Sequence, residues 1–228
     1  MKAMDDDKRA DETTEPIGAI GTDDAGHLIT LPYDWVPGGA IFDCDGTLAD
    51  TMPLHYRAWS DTLAPHGVPF PEETFYEWGG VTTREIVTRL NARYGATLDP
   101  DGFTHAKEEN YKQLIPRVGP VAAVVAEVKR LHGRCPLAVA SGGLRAIIET
   151  TLKTVGLRDY FEVIVTSEDV MRGKPEPDTF LLAAERLGLA PSDCVVYEDA
   201  PAGLEAARRA GMRAVDVRPH LRPRSANE

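Results

Sequence analysis

Two aspartates lie two residues apart at the end of an apolar run, in the stretch AIFDCDGTLADT (residues 40–51). The run has the composition of a buried strand, and residues i and i+2 of an extended segment point to the same side. Asp43 and Asp45 can therefore face one site, with Gly46 allowing a sharp turn after them. Carboxylates this close repel each other, so the pattern predicts chemistry that supplies a neutralising cation.

A calcium loop is the alternative for this stretch, because DxDG also occurs in such loops and in turns. An EF-hand loop needs further oxygen ligands at fixed spacing and a final glutamate, which DCDGTLADTMPL (43–54) lacks. The preceding apolar run also fits a strand better than an entering helix. The sequence therefore favours two aspartates at a strand end.

A second acidic pair, Glu198 and Asp199, follows the apolar run CVVY (194–197). If both pairs converge, four carboxylates need a cation, and hard oxygen ligands suit Mg²⁺. An aspartate at a strand tip beside such a metal can also act as a nucleophile and form an acyl phosphate.

A serine and a lysine could hold a phosphate beside these acids. Ser141 follows the apolar run 135–140, and its hydroxyl with the N–H groups of Gly142 and Gly143 would form an anion nest, the alternative being a plain helix cap. Lys174 lies in RGKPEPD, where the two prolines that follow it restrict the course of the loop, and it would neutralise both carboxylates and phosphate; a solvated loop lysine is the alternative.

The elements that position these residues alternate along the chain. Apolar runs predict five strands at 38–43, 135–140, 161–167, 194–197 and 213–217. Helical patterns lie between them, with Asp178 able to cap one helix and Gly156 and Gly211 placed to end two others. Such alternation indicates right-handed βαβ units and a parallel sheet, whose ligands bind beyond the carboxyl ends of the strands.

The domain organisation follows from a long helical stretch after the first strand. Residues 52–116 are expected to form a helical cap over that sheet edge, and 35–51 with 117–228 the core. Residues 1–34, rich in acidic and polar side chains, are expected to be a disordered or loosely attached extension. The stretch 27–35 could form a short edge strand.

Composition limits the function classes. The 228 residues are 43% hydrophobic, no apolar run suits a membrane helix, and the polar N-terminus lacks a secretory signal. Three separated cysteines favour a reduced, cytoplasmic protein. The net charge of −11 argues against a nucleic-acid partner, while a local pocket can still bind a small phosphorylated metabolite. A monomer is expected, with a dimer possible.

Four motifs together resemble the haloacid dehalogenase superfamily of phosphotransferases: DCDGTLADT, the strand-end Ser141, GKPEPD and VVYEDAPAGLEAARRAGM. They occur in the family's order over residues 40–217, and their sequences are most similar to those of the β-phosphoglucomutase-like branch, which includes fructose-1-phosphate phosphatases. The resemblance implies an α/β fold, with a Rossmann-like parallel-sheet core and an inserted α-helical cap domain.

The resemblance also implies catalytic roles. Asp43 is expected to attack phosphorus and become an aspartyl phosphate, and Asp45 to protonate the leaving alkoxide and then activate water or another acceptor. Ser141 and Lys174 are expected to hold the phosphate.

The implied cofactor is Mg²⁺, bound by Asp199 with help from Asp43, Glu198 and the backbone carbonyl of Asp45. True dehalogenases of this superfamily lack the second aspartate and do not need Mg²⁺, so Asp45 argues against dehalogenation.

The implied cap decides the substrate. His55 is expected near Asp45 or the sugar, and Trp59 and Trp78 in the cap core or pocket wall. The expected substrate-binding residues are Thr47, His55, Gly80, Arg84, Lys112, Gly142 and Gly143.

The implied activity is a sugar-phosphate phosphatase, with a β-phosphoglucomutase-type mutase as the alternative. The mutase loop carries a Lys before its Gly and an Arg three residues after it, whereas here Gly79 precedes Gly80 and the arginine is displaced by one, at Arg84. A remoter alternative is a non-catalytic phospho-ligand binding protein, which is disfavoured because every acid and the lysine are present.

Overall fold

The sheet at the centre of the molecule consists of five parallel strands. A computed structural model describes residues 35–221. The strands are β1 (Gly39–Phe42), β2 (Leu137–Ala140), β3 (Val163–Val165), β4 (Cys194–Glu198) and β5 (Arg213–Asp216). Their order across the sheet is β3–β2–β1–β4–β5, so β1 is central. All five predicted strands and the predicted fold class are confirmed.

Eight α-helices lie in the described part of the chain. They are α1 (Met52–Leu63), α2 (Glu72–Glu77), α3 (Thr83–Tyr94), α4 (Pro100–Lys112), α5 (Ala122–Leu131), α6 (Arg145–Thr154), α7 (Asp178–Leu187) and α8 (Pro201–Arg209). Helices α1–α4 are inserted after β1, as expected. None of the described helices is long and apolar enough to cross a membrane.

The core has two layers because β1 is buried on both faces. Ala40 and Phe42 pack on one face with apolar residues of α5 and α6, and Ile41 packs on the other with α7 and α8. This follows from the alternation of side chains along a strand, and it explains why β1 is apolar throughout. Phe42 stacks on Tyr197 of β4 with ring centroids 4.3 Å apart, which fixes the pair of strands that carries the acids.

The inserted helices have an apolar core of their own. Trp59 lies between Phe70 and Phe103, with ring centroids at 5.2 and 5.5 Å, and Trp78 packs against the same cluster. A smaller cluster at the end of α4, including Tyr111, joins the insertion to α6. The insertion therefore rests on the sheet core through α4.

The helix ends agree only partly with the sequence predictions. Gly156 and Gly211 follow α6 and α8 with φ of 70° and 71°, as expected of residues that end helices. The predicted cap by Asp178 is wrong, because its carboxylate accepts two hydrogen bonds from Arg172 and caps nothing. Helix α5 had no sequence prediction. The strand expected at 27–35 and the extension expected at 1–34 lie, apart from Trp35, outside the described residues.

Candidate active site at the carboxyl ends of the strands

The structure brings three of the predicted acids together. Phe42 pairs in register with both Val139 and Tyr197, so the residues that follow β1 and β4 are neighbours. One carboxylate oxygen from each of Asp43, Glu198 and Asp199 lies within 4.8 Å of the others. We call these three residues the acidic cluster.

Lys174 neutralises part of this charge. Its Nζ donates hydrogen bonds to Oδ1 of Asp43 at 2.6 Å and to Oε2 of Glu198 at 2.7 Å, and all three side chains are buried. Burial alone would lower the pKa of Lys174, but the two carboxylates outweigh burial and raise it. The lysine therefore stays positively charged. Its position beside the acids is the predicted one.

The negative charge that Lys174 leaves unbalanced in the acidic cluster disfavours ionisation of its two aspartates. Burial, and then repulsion from Glu198, raises the pKa of Asp43 well above its usual range. The same two causes raise the pKa of Asp199 to about 8. Fully ionised, the cluster has three negative charges against the single charge of Lys174. The residual charge of −2 and the oxygen-only donors fit a Mg²⁺ ion.

The local chain is shaped to hold these carboxylates. Gly46 has φ of +91°, and a Cβ there would lie 2.3 Å from Oδ2 of Asp199. Thr47 is fully buried, and its hydroxyl donates to Oδ1 of Asp199 at 3.1 Å. A Cβ on Gly203 would lie 2.1 Å from Glu198. Larger residues at either glycine would displace the acidic cluster.

Asp45 belongs to a separate network that leads into the inserted helices. Its Oδ1 accepts from Thr51 at 2.9 Å and lies 3.2 Å from Nε2 of His55. Because a lysine only donates, the 2.9 Å contact of Lys107 Nζ with His55 Nδ1 leaves Nε2 to donate to Asp45. Burial raises the pKa of Asp45, but its interaction with His55 and the hydrogen bond from Thr51 outweigh burial and lower it.

Ser141 and the two glycines after it face the aspartates. Oγ of Ser141 accepts from the N–H of Gly143 at 3.1 Å, and an added Cβ on Gly142 would lie 3.0 Å from the carbonyl oxygen of Gly80. The loop before α3 therefore reaches the strand ends.

Two adjacent cavities separate the inserted helices from the sheet. The inner cavity, of about 80 Å³, is lined by residues that include Asp43, Asp45, His55, Gly80 and Ser141. The outer cavity, of about 600 Å³, extends from Lys174 to the start of α3. The predicted phosphate-holding residues thus lie where a small ligand could enter.

Three predicted substrate residues lie elsewhere or have other partners. Lys112 is partly exposed, pairs with Glu109 and lines neither cavity. Arg84 lines the outer cavity but is largely exposed and pairs with Asp101 at 2.5 Å. Thr47 lines neither cavity and is bonded to Asp199 instead.

Sequence reasoning missed Lys107 and its neighbour Glu108, which form a buried ion pair of 2.9 Å on α4. A signal for Lys107 exists: it lies midway between Phe103 and Tyr111 at spacings of four, on the apolar face of the helix. Tyr111 stacks on His55 with ring centroids 3.7 Å apart, so this face is the one turned to Asp45.

Comparison with known proteins agrees with this geometry. The family model for haloacid dehalogenase-like hydrolases matches residues 38–211. The Escherichia coli (strain K12) protein "Fructose-1-phosphate phosphatase YqaB" is 43% identical over 79% of this chain and 96% of its own length. The Bacillus subtilis (strain 168) "Beta-phosphoglucomutase" is 30% identical over 78% of this chain and 81% of its own. A hydrolase crystal structure from Pseudomonas syringae has a TM-score of 0.73 and 26% identity, covering 78% of this chain and 84% of that one.

The raised pKa of Asp199 predicts how stability depends on pH without metal. The folded protein holds this proton up to about pH 8, whereas the unfolded chain releases it near 3.8, so stability falls as pH rises between these values. Asp199→Asn should lessen that fall, by at most about 1.4 kcal/mol per pH unit. Urea unfolding in EDTA at pH 5 and pH 8 measures the difference.

The exposed Asp193, just before β4, provides the matched control Asp193→Asn, which should keep the wild-type pH dependence. Added Mg²⁺ should stabilise the wild type more than Asp199→Asn. Identical pH dependence of all three proteins would show that Asp199 is not under charge repulsion.

Proposed function

The chain belongs to the haloacid dehalogenase-like hydrolase family, and we propose that it is a Mg²⁺-dependent phosphatase that hydrolyses a small sugar phosphate through an aspartyl-phosphate intermediate. The observation that carries the proposal is the buried Lys174, which bridges Asp43 and Glu198 in an acidic cluster. Such a site is suited to phosphoryl transfer, which depends on positioning and charge stabilisation.

The proposed first step forms a bond between a carboxylate oxygen of Asp43 and phosphorus, while the bond from phosphorus to the sugar oxygen breaks. Asp45 gives its proton to the leaving alkoxide. Asp45 is ionised in the free protein because its pKa is lowered. An incoming phosphate raises that pKa by charge repulsion, so Asp45 takes up a proton from water when the substrate binds and can then donate it. Ser141 and the N–H groups after it bind the phosphate oxygens.

The second step releases the phosphate. Asp45, now ionised, takes a proton from water, whose oxygen bonds to phosphorus as the bond to Asp43 breaks. His55 holds Asp45 in place through its Nε2–H. Mg²⁺, held by Asp43, Glu198, Asp199 and the backbone carbonyl of Asp45, would supply charge that stabilises the transferring phosphoryl group.

Hydrolysis is favoured over the mutase reaction by the charges around the outer cavity. A mutase must bind a second phosphate, which needs cations free to bind it. The arginines that line this cavity are instead paired: Arg84 with Asp101, Arg89 with Glu85, and Arg172 with Asp178. The fructose-1-phosphate phosphatase among the relatives supports the same choice.

The proposal extends to the organisation of the chain. Residues 52–116 act as a cap over the core formed by 35–51 and 117–228, and they close the site from water during the reaction. The protein works in the cytoplasm as a monomer.

Loss of the nucleophile should abolish catalysis. We expect Asp43→Asn to lower kcat for phosphate release from fructose 1-phosphate with Mg²⁺ by about 10³-fold or more, because an amide cannot form the acyl phosphate. The matched control is Asp61→Asn on the surface of α1, where Asp61 pairs with Arg57, and it should keep wild-type activity. Substantial Mg²⁺-dependent turnover by Asp43→Asn would refute the nucleophile assignment.

Product analysis distinguishes phosphatase from mutase. Supplied with β-glucose 1-phosphate and a trace of glucose 1,6-bisphosphate, the protein should release inorganic phosphate faster than it forms glucose 6-phosphate. Coupled assays for the two products on one sample give both rates. Faster formation of glucose 6-phosphate would identify a mutase.

A further inference from the structure

Glu108 on α4 has one carboxylate oxygen that the described structure leaves without a partner. Its Oε1 accepts from Lys107 Nζ at 2.9 Å and from the hydroxyl of Thr83 at 3.0 Å. Its Oε2 is buried and accepts no hydrogen bond. The side chain is only 8% exposed, so water has little access to it.

The position of Glu108 is at the boundary between the two cavities. It lines both the inner cavity, which holds the aspartates, and the outer cavity. The other residues common to both linings are Val81, Thr83, Gly142 and Gly143. A molecule that extends from Asp43 into the outer cavity therefore passes between these shared residues, and Glu108 is the charged one among them.

The size of the inner cavity requires such an extension. At about 80 Å³ it is far smaller than the pockets of about 300–1,000 Å³ that hold whole small ligands. The phosphate can lie beside Asp43 and Ser141, but the rest of a sugar phosphate must reach the outer cavity.

The charge of Glu108 makes its free oxygen a strong acceptor. Burial raises the pKa of this carboxyl, but the charge of Lys107 and the hydrogen bonds from Lys107 and Thr83 outweigh burial and lower it, so the group is ionised. A buried carboxylate oxygen without a donor is unfavourable, and hydrogen bonds to a charged acceptor are stronger than neutral ones. A ligand hydroxyl would supply the missing donor.

We infer that Glu108 determines specificity: its Oε2 accepts a hydrogen bond from a hydroxyl group on the non-phosphorylated part of the substrate, which selects polyhydroxylated phosphomonoesters. This inference rests on the proposed phosphatase function. It assigns to α4 a part in substrate choice, next to the loop before α3.

The test compares two alkyl phosphates, fructose 1-phosphate and propyl phosphate. Both release an alkoxide and so need the same proton from Asp45, but only the first has hydroxyl groups. Glu108→Gln keeps an oxygen for the donors Lys107 and Thr83 and presents an amide N–H₂ in place of the accepting Oε2. Glu109→Gln is the matched control, because Glu109 is half exposed on the same helix and pairs with Lys112.

We expect Glu108→Gln to lower kcat/KM for fructose 1-phosphate about 10-fold or more and to change that for propyl phosphate less than about two-fold. Glu109→Gln should change neither. Equal losses on both substrates would mean that Glu108 acts through Lys107, His55 and Asp45, and would overturn the inference, as would no loss on either.

The wild type gives an independent measurement if the variant does not fold. Its kcat/KM for fructose 1-phosphate should exceed that for propyl phosphate about 10-fold or more, and equal values would overturn the inference. Wild-type protein that releases phosphate from neither substrate would instead refute the proposed phosphatase function, and the inference with it.

Discussion

The buried ion pairs of Lys174 with Asp43 and Glu198 are the constraint on which the rest of the site depends. Three carboxylates at neighbouring strand ends repel one another, and a single lysine offsets only part of their charge. Parallel pairing of β1 with β4 creates the problem, since it places their terminal acids side by side. The same arrangement suits phosphoryl transfer, because a divalent cation can complete the charge balance that the protein leaves open and can then attract a phosphate.

A second buried network links the inserted helices to the reacting groups. Asp45 contacts His55, which contacts Lys107, which in turn pairs with Glu108, while Thr83 donates to the same glutamate. Asp45, which we propose as the general acid, and Glu108, which we assign to substrate choice, are thus joined through α4 and the start of α3. A shift of the inserted helices relative to the sheet would alter both, so closure over a substrate can be coupled to the placement of Asp45.

The sheet and its acids were predictable because apolar runs ending in polar residues define buried strands, and parallel strands place those ends together. Which polar residues of α4 are buried was not predicted from the sequence. Lys107 and Lys112 are both lysines on one helix, but five residues separate them by about 140° around its axis. One is buried against His55 and the other pairs with Glu109 at the surface. The packing of α4 against α1, which carries His55, decides this. In the same way, the loop that places Arg172 decides that Asp178 does not cap α7.

The covalent intermediate at Asp43 is the central claim, and rapid acid quenching tests it most directly. Protein in excess over fructose 1-phosphate labelled with ³²P is mixed with Mg²⁺, quenched within milliseconds and digested, and the labelled peptide is sequenced. The account predicts transient label on the peptide that contains Asp43, appearing before free phosphate. Label on another residue, or release of phosphate with no label on the protein at any time, would contradict it.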